Sequence, residues 1–360
     1  MKIVIRADAS LEMGTGHVMR CLTLADALSE KGNDVAFICR KHPGNLIQHI
    51  QAKGYRVYIL EISDGNDFLA PKIEHELTGE LSHAKWLGVS QEIDASDCKQ
   101  ILNKIKPEWL VVDHYAIDKT WQELLKGSFQ KLMVVDDLAD RHHACHLLLD
   151  QTYGRSMQEY EGLVPDTCKL MLGAEYALLR PEFAEWREFS LKRRIQSEFK
   201  NLLITMGGVD PNNITGQVLE ALKTCDLPRD IEITVVMGDT APHIKDVRVL
   251  ADSMQYKTEV KVNVSNMAEI MANSDLAIGA SGSTTWERCC LGLPSILFVL
   301  ADNQLFTAEK LQNLNIVSIV KSDDELKNKI NTINFDLLSR KSFEVTNGTG
   351  VNKVLGEIND

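Results

Sequence analysis

A short glycine turn near the start of the sequence carries a histidine that could act as a general base. The turn reads Gly14-Thr15-Gly16-His17 and lies between an apolar run at residues 2–6 and a helical apolar pattern at residues 18–28. Histidine changes its protonation near neutral pH, and the unpaired N–H groups of a helix start favour an anion. These residue types indicate either a catalytic base beside a bound anion or a histidine that merely caps the helix.

Further polar side chains follow the apolar runs of the first half of the chain. Asp8, Asp113 and Asp136 come after runs that are typical of buried parallel strands. Because open parallel sheets bind ligands at the carboxyl ends of their strands, these carboxylates and His17 are expected to line one cleft. For any single aspartate, strand termination or helix capping is the alternative explanation.

Two turns in the second half have the composition of a nucleotide site. Gly207 and Gly208 follow one apolar run, and their bare backbone suits a phosphate or a sugar. The segment Ser281-Gly282-Ser283 follows another buried run and opens a predicted helix. Its hydroxyl and N–H groups could bind a diphosphate.

Three polar residues beyond these turns could contact the rest of a nucleotide sugar. Glu287 lies one helical turn after Ser283, where a carboxylate could accept both hydroxyls of a ribose or could simply be solvated. Asn303 and Gln304 begin the next predicted helix and could bind a sugar, although Asn303 could equally cap that helix.

Composition narrows the possible partners. The net charge of −12 argues against nucleic acid and anionic membranes, so a small molecule is expected. No apolar run approaches the ~18 residues of a spanning helix, and the first strand leads directly into Arg6 and Asp8 without the apolar core of a signal peptide. The eight cysteines lack C-x-x-C spacing, which predicts reduced thiols, no disulfides and a cytoplasmic protein.

A segment rich in possible metal ligands contains His142, His143, Cys145 and His146. No matching group of ligands occurs elsewhere in the sequence, whereas zinc sites usually draw on two separated pairs. We therefore interpret the segment as a turn before an apolar strand and predict neither a metal site nor another cofactor.

The order of predicted elements indicates two doubly wound α/β domains. Apolar strands alternate with helical stretches in both halves, and a polar, basic stretch separates the halves. We predict an N-terminal Rossmann-like domain at residues 1–180, a linker at 181–196 and a C-terminal Rossmann-like domain at 197–360 that binds the nucleotide. Pro181 fits the first turn of a helix within the linker.

Taken together, these residues resemble the PseG family of nucleotide-sugar hydrolases, which are relatives of the MurG glycosyltransferase. The resemblance covers nearly the whole chain. The stretches that carry it include Arg6-x-Asp8 with residues 14–25, Val111-Val-Asp-His-Tyr115, Leu178-Leu-Arg-Pro-Glu-Phe183, Met206-Gly-Gly208, Gly279-Ala-Ser-Gly-Ser-Thr284 and Ala301-Asp-Asn-Gln304.

The resemblance implies a GT-B fold, in which two doubly wound Rossmann-like domains face a cleft. It implies hydrolysis of UDP-2,4-diacetamido-2,4,6-trideoxy-β-L-altropyranose to UDP and the free sugar in pseudaminic acid biosynthesis, without metal and with His17 activating water. By similarity to MurG, Val264 to Met267 would meet the uracil through backbone, Ser281 to Ser283 the diphosphate, Glu287 the ribose, and Asn303 and Gln304 the sugar. The substrate-binding residues that we expect are Arg6, Asp8, Gly14, Thr15, Gly16, Asp113, Tyr115, Arg180, Gly207, Gly208, Val264, Met267, Ser281, Gly282, Ser283, Glu287, Asn303 and Gln304.

Two other functions remain open from the sequence. A MurG-like glycosyltransferase would use the same fold and the same UDP site but deliver the sugar to an acceptor hydroxyl. A sensor without catalytic activity would bind the UDP-sugar and release nothing. The sequence is compatible with a monomer or a weak dimer.

Overall fold

A computed structural model describes residues 1–62, 81–196 and 198–359 of the chain. Contacts divide the chain into two compact units, Met1–Leu178 with Val351–Asp360, and Leu179–Gly350. Among the described residues, each unit contains one parallel sheet. Among the described helices, none combines the length and the apolar character that crossing a membrane would require.

The described part of the first unit contains a sheet of seven parallel strands. They are β1 (Lys2–Ala7), β2 (Asp34–Arg40), β3 (Arg56–Leu60), β4 (Trp109–Asp113), β5 (Lys131–Val135), β6 (Leu147–Asp150) and β7 (Lys169–Leu172). Their order is β3-β2-β1-β4-β5-β6-β7, so the chain reverses its direction across the sheet between β1 and β4. Ligands of open parallel sheets bind at this kind of reversal, outside the carboxyl ends of the strands.

Helices pack on both faces of this first sheet. They are α1 (Gly16–Glu30), α2 (Ile47–Ala52), α3 (Gln91–Ile105) and α4 (Lys119–Leu124), with short 3-10 helices at Ala84–Leu87, Met157–Tyr160 and Ala174–Tyr176. Successive strand side chains point to opposite faces, so Ile3 and Ile5 enter one apolar core and Val4 enters another. Burial on both faces explains why the strands are continuous apolar runs in the sequence.

The described part of the second unit contains a sheet of six parallel strands. They are β8 (Asn201–Thr205), β9 (Glu232–Met237), β10 (Lys257–Val262), β11 (Leu276–Ala280), β12 (Ser295–Phe298) and β13 (Ser318–Val320), in the order β10-β9-β8-β11-β12-β13. The helices that follow the first unit's α4 are α5 (Pro181–Arg194), α6 (Ile214–Leu222), α7 (Ile244–Asp252), α8 (Met267–Asn273), α9 (Thr284–Cys290), α10 (Asp302–Asn313), α11 (Asp323–Thr332), α12 (Phe335–Phe343) and α13 (Gly350–Asn359). The reversal point of this sheet lies between β8 and β11.

The stretch predicted as a linker, residues 181–196, contains the helix α5 of the second unit. Its basic residues are not all solvated, because Arg194 is buried and donates to the carbonyl oxygens of Met271 at 3.0 Å, Ser274 at 2.7 Å and Leu291 at 3.0 Å. These oxygens lie at the carboxyl ends of α8 and α9, where helix carbonyls lack partners and carry partial negative charge. Through Arg194, the basic stretch therefore binds the carboxyl ends of α8 and α9 within the second unit.

The C-terminal helix α13 belongs to the first unit, whereas the predicted second domain ran to residue 360. Val354 and Ile358 are buried in an apolar core of the first sheet. The indole nitrogen of Trp109 in β4 donates to the carbonyl oxygen of Ile358 at 3.0 Å. The apolar spacing of α13 predicts an amphipathic helix but does not specify which of two similar sheets the helix covers.

We predict that Arg194→Met lowers the free energy of unfolding by about 2–4 kcal/mol, because three buried carbonyl oxygens lose a charged donor. Lys192→Met is the matched control, since the Lys192 side chain is 73% exposed in the same helix, and a change below about 0.5 kcal/mol is expected. Urea unfolding followed by circular dichroism measures both values. Equal stability of the two variants would contradict the role given to Arg194.

Candidate active site

His17 lies in the first turn of α1 and contacts the carboxylate at the end of β4. Its Nδ1 atom is 2.6 Å from Oδ1 of Asp113. A carboxylate can only accept, so Nδ1 carries the proton and Nε2 of the neutral ring is left as the acceptor. The Asp113 side chain is fully buried, while that of His17 keeps 9% of its surface exposed. A carboxylate that orients an imidazole in this way is the usual arrangement of a general base.

Arg20 fixes the same carboxylate from one helical turn further along α1. Its Nε donates to Oδ2 of Asp113 at 2.6 Å and its Nη2 donates to Oδ1 at 2.8 Å. Burial raises the pKa of Asp113, but the charge of Arg20 and the hydrogen bonds from Arg20 and His17 lower that pKa well below its ordinary range. His17 and Arg20 reach one carboxylate because residues three apart share a helix face.

The hydrogen-bond network extends from Arg20 to a second carboxylate and a phenol. Nη1 of Arg20 pairs with Asp137, and the hydroxyl of Tyr115 donates to Asp137 at 2.8 Å. The ring of Tyr115 lies edge-on to His17, with ring centroids 4.6 Å apart. The structure therefore brings together the predicted residues His17, Asp113 and Tyr115.

Two aromatic residues that the sequence interpretation did not identify lie beside this group. Trp86 stacks on Tyr115 with ring centroids 5.9 Å apart, and His83 lies 4.3 Å from Trp86 by the same measure. Both are half-buried. They form an aromatic wall near His17 of the kind that lines small-molecule sites. A tryptophan and a histidine three residues apart in the sequence were the available signal.

The glycine turn is closed by its own hydrogen bonds. Gly14 has a φ of +75° and donates its N–H to the carbonyl oxygen of Ser10 at 2.9 Å. The hydroxyl of Ser10 accepts from the backbone N–H groups of Glu12 and Met13 at 3.2 and 3.0 Å. The side chain of Thr15 makes no capping bond to α1, which starts at Gly16. The turn thus directs the first turn of α1, with His17, toward the end of β4.

Arg6 and Asp8, which the sequence interpretation placed among the substrate contacts, lie in a buried ion network. Arg6 pairs with Asp8 at 2.6 Å and with Asp94 of α3 at 2.8 Å, and Arg40 pairs with Asp94 at 2.9 Å. The side chains of Arg6 and Asp8 have no exposed surface. A second oxygen of Asp8 lies 3.3 Å from Nε2 of His114. In the structure these side chains hold β1 and α3 together and do not reach the surface of the unit.

Asp136 and the histidine-rich segment form a separate network in the first unit. Asp136 pairs with Arg141 at 2.8 Å and accepts from the Tyr160 hydroxyl at 3.0 Å. Nδ1 of His143 lies 2.9 Å from the side-chain nitrogen of Gln122. Within residues 1–62, 81–196 and 198–359, no three or more His, Cys, Asp or Glu side chains are grouped so that they could hold a metal ion.

The predicted residues of the second unit lie at or after the carboxyl ends of its strands. Gly207 has a φ of +91°, and a Cβ there would meet no atom within 4 Å. Gly208 packs closely against Gly238, the residue directly after β9, so a Cβ on Gly238 would lie 2.1 Å from the Gly208 oxygen. The predicted residues are Gly207 and Gly208 after β8, Val264 and Met267 after β10, Ser281, Gly282 and Ser283 after β11, and Asn303 and Gln304 after β12.

The segment Ser281-Gly282-Ser283 presents unused backbone donors. Ser281 donates its N–H to the carbonyl oxygen of Phe298 at 3.0 Å, which joins the segment to β12. Within the described part of the chain, the N–H groups of Gly282 and Ser283 donate no hydrogen bond. A Cβ on Gly282 would meet open space. Such a loop can donate to an anion.

Glu287 and Arg180 come together in the second unit, although the predicted domain boundary put Arg180 in the first. Nη2 of Arg180 lies 3.9 Å from Oε1 of Glu287 and 3.1 Å from Oε1 of Glu182. Burial raises the pKa of Glu287, and Arg180 opposes that rise. The Glu287 side chain keeps 17% of its surface exposed, so one carboxylate edge remains accessible.

The remaining predicted residues differ in their burial and in the hydrogen-bonding groups that they could offer a ligand. Val264 is half-buried and Met267 is buried at the start of α8. The side-chain oxygen of Gln304 accepts from the N–H of Leu300 at 3.1 Å, so its amide NH₂ group is the part left to donate. Asn303 lies in α10, but its side chain falls outside the described part of the structure.

Comparison with solved structures identifies the architecture. The crystal structure of Acinetobacter baumannii MurG superimposes with a TM-score of 0.68 over 99% of this chain and 99% of that chain, at 15% sequence identity. The chain has the GT-B fold. The predicted fold class is thereby confirmed.

Sequence comparisons match one part of the chain to a family model and most of the chain to individual proteins. Residues 201–349 match the family model described as the glycosyltransferase family 28 C-terminal domain. An uncharacterized protein of Methanocaldococcus jannaschii is 29% identical over 309 residues, which are 85% of this chain and 56% of that protein. The UDP-2,4-diacetamido-2,4,6-trideoxy-beta-L-altropyranose hydrolase of Campylobacter jejuni is 28% identical over 312 residues, which are 86% of this chain and 95% of that enzyme.

We predict that acid unfolds the first unit before the second. Four buried carboxyls of the first unit have a lowered pKa, because nearby guanidinium groups outweigh the effect of burial; they are Asp8, Asp94, Asp113 and Asp136. A lowered pKa contributes stability above the unfolded value of about 3.9, and that stability is lost as the pH falls through the folded pKa. Asp150 of the first unit and Glu287 of the second have a raised pKa, mainly through burial, and act with the opposite sign, since their protonated forms are favoured in the folded state. In the first unit the four carboxyls with a lowered pKa outnumber Asp150.

Hydrogen exchange measured by mass spectrometry at about pH 3 and pH 7, corrected for intrinsic rates, tests this order. Peptides from β1 and β4 should lose more protection on acidification than peptides from β8 and β11. A larger loss in β8 and β11 would show that the guanidinium–carboxylate pairs do not set the acid stability of the first unit.

Proposed function

We propose that this chain is a UDP-sugar hydrolase that breaks the bond between the anomeric carbon and the diphosphate oxygen. The observation that carries the proposal is His17 oriented by Asp113, which Arg20 holds with two hydrogen bonds. The similarity to the Campylobacter jejuni hydrolase supports the same reaction, because the matched region spans 95% of that enzyme. The substrate would be UDP-2,4-diacetamido-2,4,6-trideoxy-β-L-altropyranose, and the products would be UDP and 2,4-diacetamido-2,4,6-trideoxy-L-altrose. The reaction would belong to pseudaminic acid biosynthesis.

The first unit would supply the base. Nε2 of His17 accepts a proton from water while the water oxygen attacks the anomeric carbon. Asp113 stabilises the imidazolium that forms, since its pKa is held well below the ordinary range and it stays ionised. The bond from the anomeric carbon to the diphosphate oxygen breaks, and its electron pair leaves with UDP. One displacement without a covalent intermediate inverts the anomeric centre.

The second unit would bind the UDP part. The free N–H groups of Gly282 and Ser283 would donate to the diphosphate, and the accessible edge of Glu287 would accept from the ribose. Val264 to Met267 would meet the uracil through backbone, and Asn303 and Gln304 would contact the sugar. UDP leaves with its negative charge already stabilised by such donors, so one base can suffice without a protein acid and without a metal ion.

A glycosyltransferase is the second candidate, because residues 201–349 match a glycosyltransferase family domain. Such an enzyme would use the same UDP contacts but would need an acceptor hydroxyl before it released UDP. A sensor without catalytic activity would bind the UDP-sugar and release neither product. Turnover without an acceptor separates both possibilities from the hydrolase.

We predict that the purified protein, given the UDP-sugar in oxygen-18 water without an acceptor, releases UDP and free sugar. The label should appear in the sugar and not in UDP, because water attacks carbon, and nuclear magnetic resonance should show an inverted anomeric centre. Label in UDP would place the attack at phosphorus. Release of UDP only after an acceptor is added would favour the transferase.

The His17→Leu variant tests the base within the same assay. It should still bind UDP while turnover falls by about 10²–10⁴, the usual contribution of a general base. His142→Leu is the matched control, because His142 is exposed in the same unit, and its turnover should equal that of the wild type. Normal turnover by His17→Leu would reduce His17 to a structural residue.

A further inference from the structure

Arg288 in α9 is a buried cation that no carboxylate pairs with among the described residues. It is 1% exposed. Its Nη2 donates to the carbonyl oxygen of Ala280 at 2.8 Å and to the Thr285 hydroxyl at 3.1 Å, and its Nη1 lies 3.3 Å from the Thr284 hydroxyl. Its Nε finds no hydrogen-bond partner within the part of the chain that the structure describes. Its neighbour in sequence, Glu287, lies against Arg180 instead.

Other buried arginines of this chain are compensated. Arg6, Arg20 and Arg141 each pair with at least one buried carboxylate. Arg194 has three carbonyl oxygens at the negative ends of helices. A buried charge without such partners is costly to a fold, because desolvation opposes its charged form. Burial lowers the pKa of Arg288 only to about 10, so the group is still charged at neutral pH.

The charge of Arg288 lies close to the segment that could bind an anion. The guanidinium reaches back along α9 to Ala280, the residue directly before the segment Ser281-Gly282-Ser283. A Cβ on Gly279 would lie 2.7 Å from Nη1 of Arg288, so only glycine leaves room for the side chain there. The uncompensated charge therefore lies beside the segment whose N–H groups at Gly282 and Ser283 donate no hydrogen bond.

We propose that Arg288 is a positioning residue for the diphosphate of the ligand and that the bound anion balances its buried charge. The guanidinium holds Ala280 and the two threonine hydroxyls, which fixes the segment that donates to the phosphates. Its charge acts on the phosphates through the protein and not by exposed contact. This inference rests on the proposed function, because it requires that the second unit binds UDP.

The proposal predicts an effect that depends on the charge of the ligand. Arg288→Met should weaken UDP binding by about 10–100-fold and uridine binding by less than about threefold, because the lost interaction is electrostatic. UMP should fall between them. Arg194→Met is the matched control: it removes a second buried arginine of the same unit, and the ratio of UDP affinity to uridine affinity should equal that of the wild type.

Calorimetric titration of the full chain with uridine, UMP and UDP at fixed salt measures these ratios. If the wild type does not bind UDP, the proposed function fails and this inference fails with it. If the wild type binds UDP but Arg288→Met weakens UDP and uridine by the same factor, only this inference fails, because Arg288 is then a purely structural residue.

A second variant keeps the test decisive if Arg288→Met does not fold. Arg288→Lys keeps a positive charge, but a buried ammonium loses its proton at a lower pH than a guanidinium does. The ratio of UDP affinity to uridine affinity should therefore match the wild type at pH 7 and fall for this variant alone between pH 7 and pH 9. A ratio that follows the wild type across this range would overturn the proposal.

Discussion

The ionised carboxylate of Asp113 is the group on which the candidate site of the first unit depends. Two donors of Arg20 and the Nδ1–H of His17 all point at its two oxygens, and the carboxylate is buried at the end of β4. Without its negative charge, Arg20 would be a buried cation bonded mainly to Asp137, and the imidazole could adopt either tautomer. The carboxylate at the end of β4 therefore fixes which face of α1 points toward it, which nitrogen of His17 carries the proton, and where the other nitrogen is directed.

The need to compensate a buried charge recurs in both units. Buried guanidinium groups pair with buried carboxylates in the first unit, as Arg6 does with Asp8 after β1 and with Asp94 in α3. In the second unit Arg194 pairs with helix carbonyl oxygens, whereas Arg288 lacks a full set of partners. Because an uncompensated buried charge is unfavourable, the position of such a charge marks where a ligand of opposite sign would be accommodated. The proposed binding of a diphosphate would thus stabilise the second unit by balancing the charge of Arg288.

The sequence predicted the parts of this structure that depend on local pattern. Continuous apolar runs identified the parallel strands, and the turn before His17 indicated where α1 begins. The partners of the buried charges could not be predicted, because Asp94 and Arg288 lie in helices whose facing surfaces depend on tertiary packing. The basic stretch at the end of α5 was interpreted as part of a linker, since charged residues are usually solvated. The packing of α13 on the first unit could not be predicted, because an amphipathic pattern does not specify which of two similar sheets the helix covers.

The tautomer of His17 decides whether this histidine can act as a base, because Asp113 must hold the proton on Nδ1 to leave Nε2 free to accept one. Nitrogen-15 nuclear magnetic resonance of the protein labelled at histidine observes each ring nitrogen. At a pH where the ring is neutral, the account predicts a protonated Nδ1 and a bare Nε2 for His17, with this preference lost in Asp113→Asn. A neutral His17 that carries its proton on Nε2 would contradict the account, since its Nε2 could not accept a proton from water.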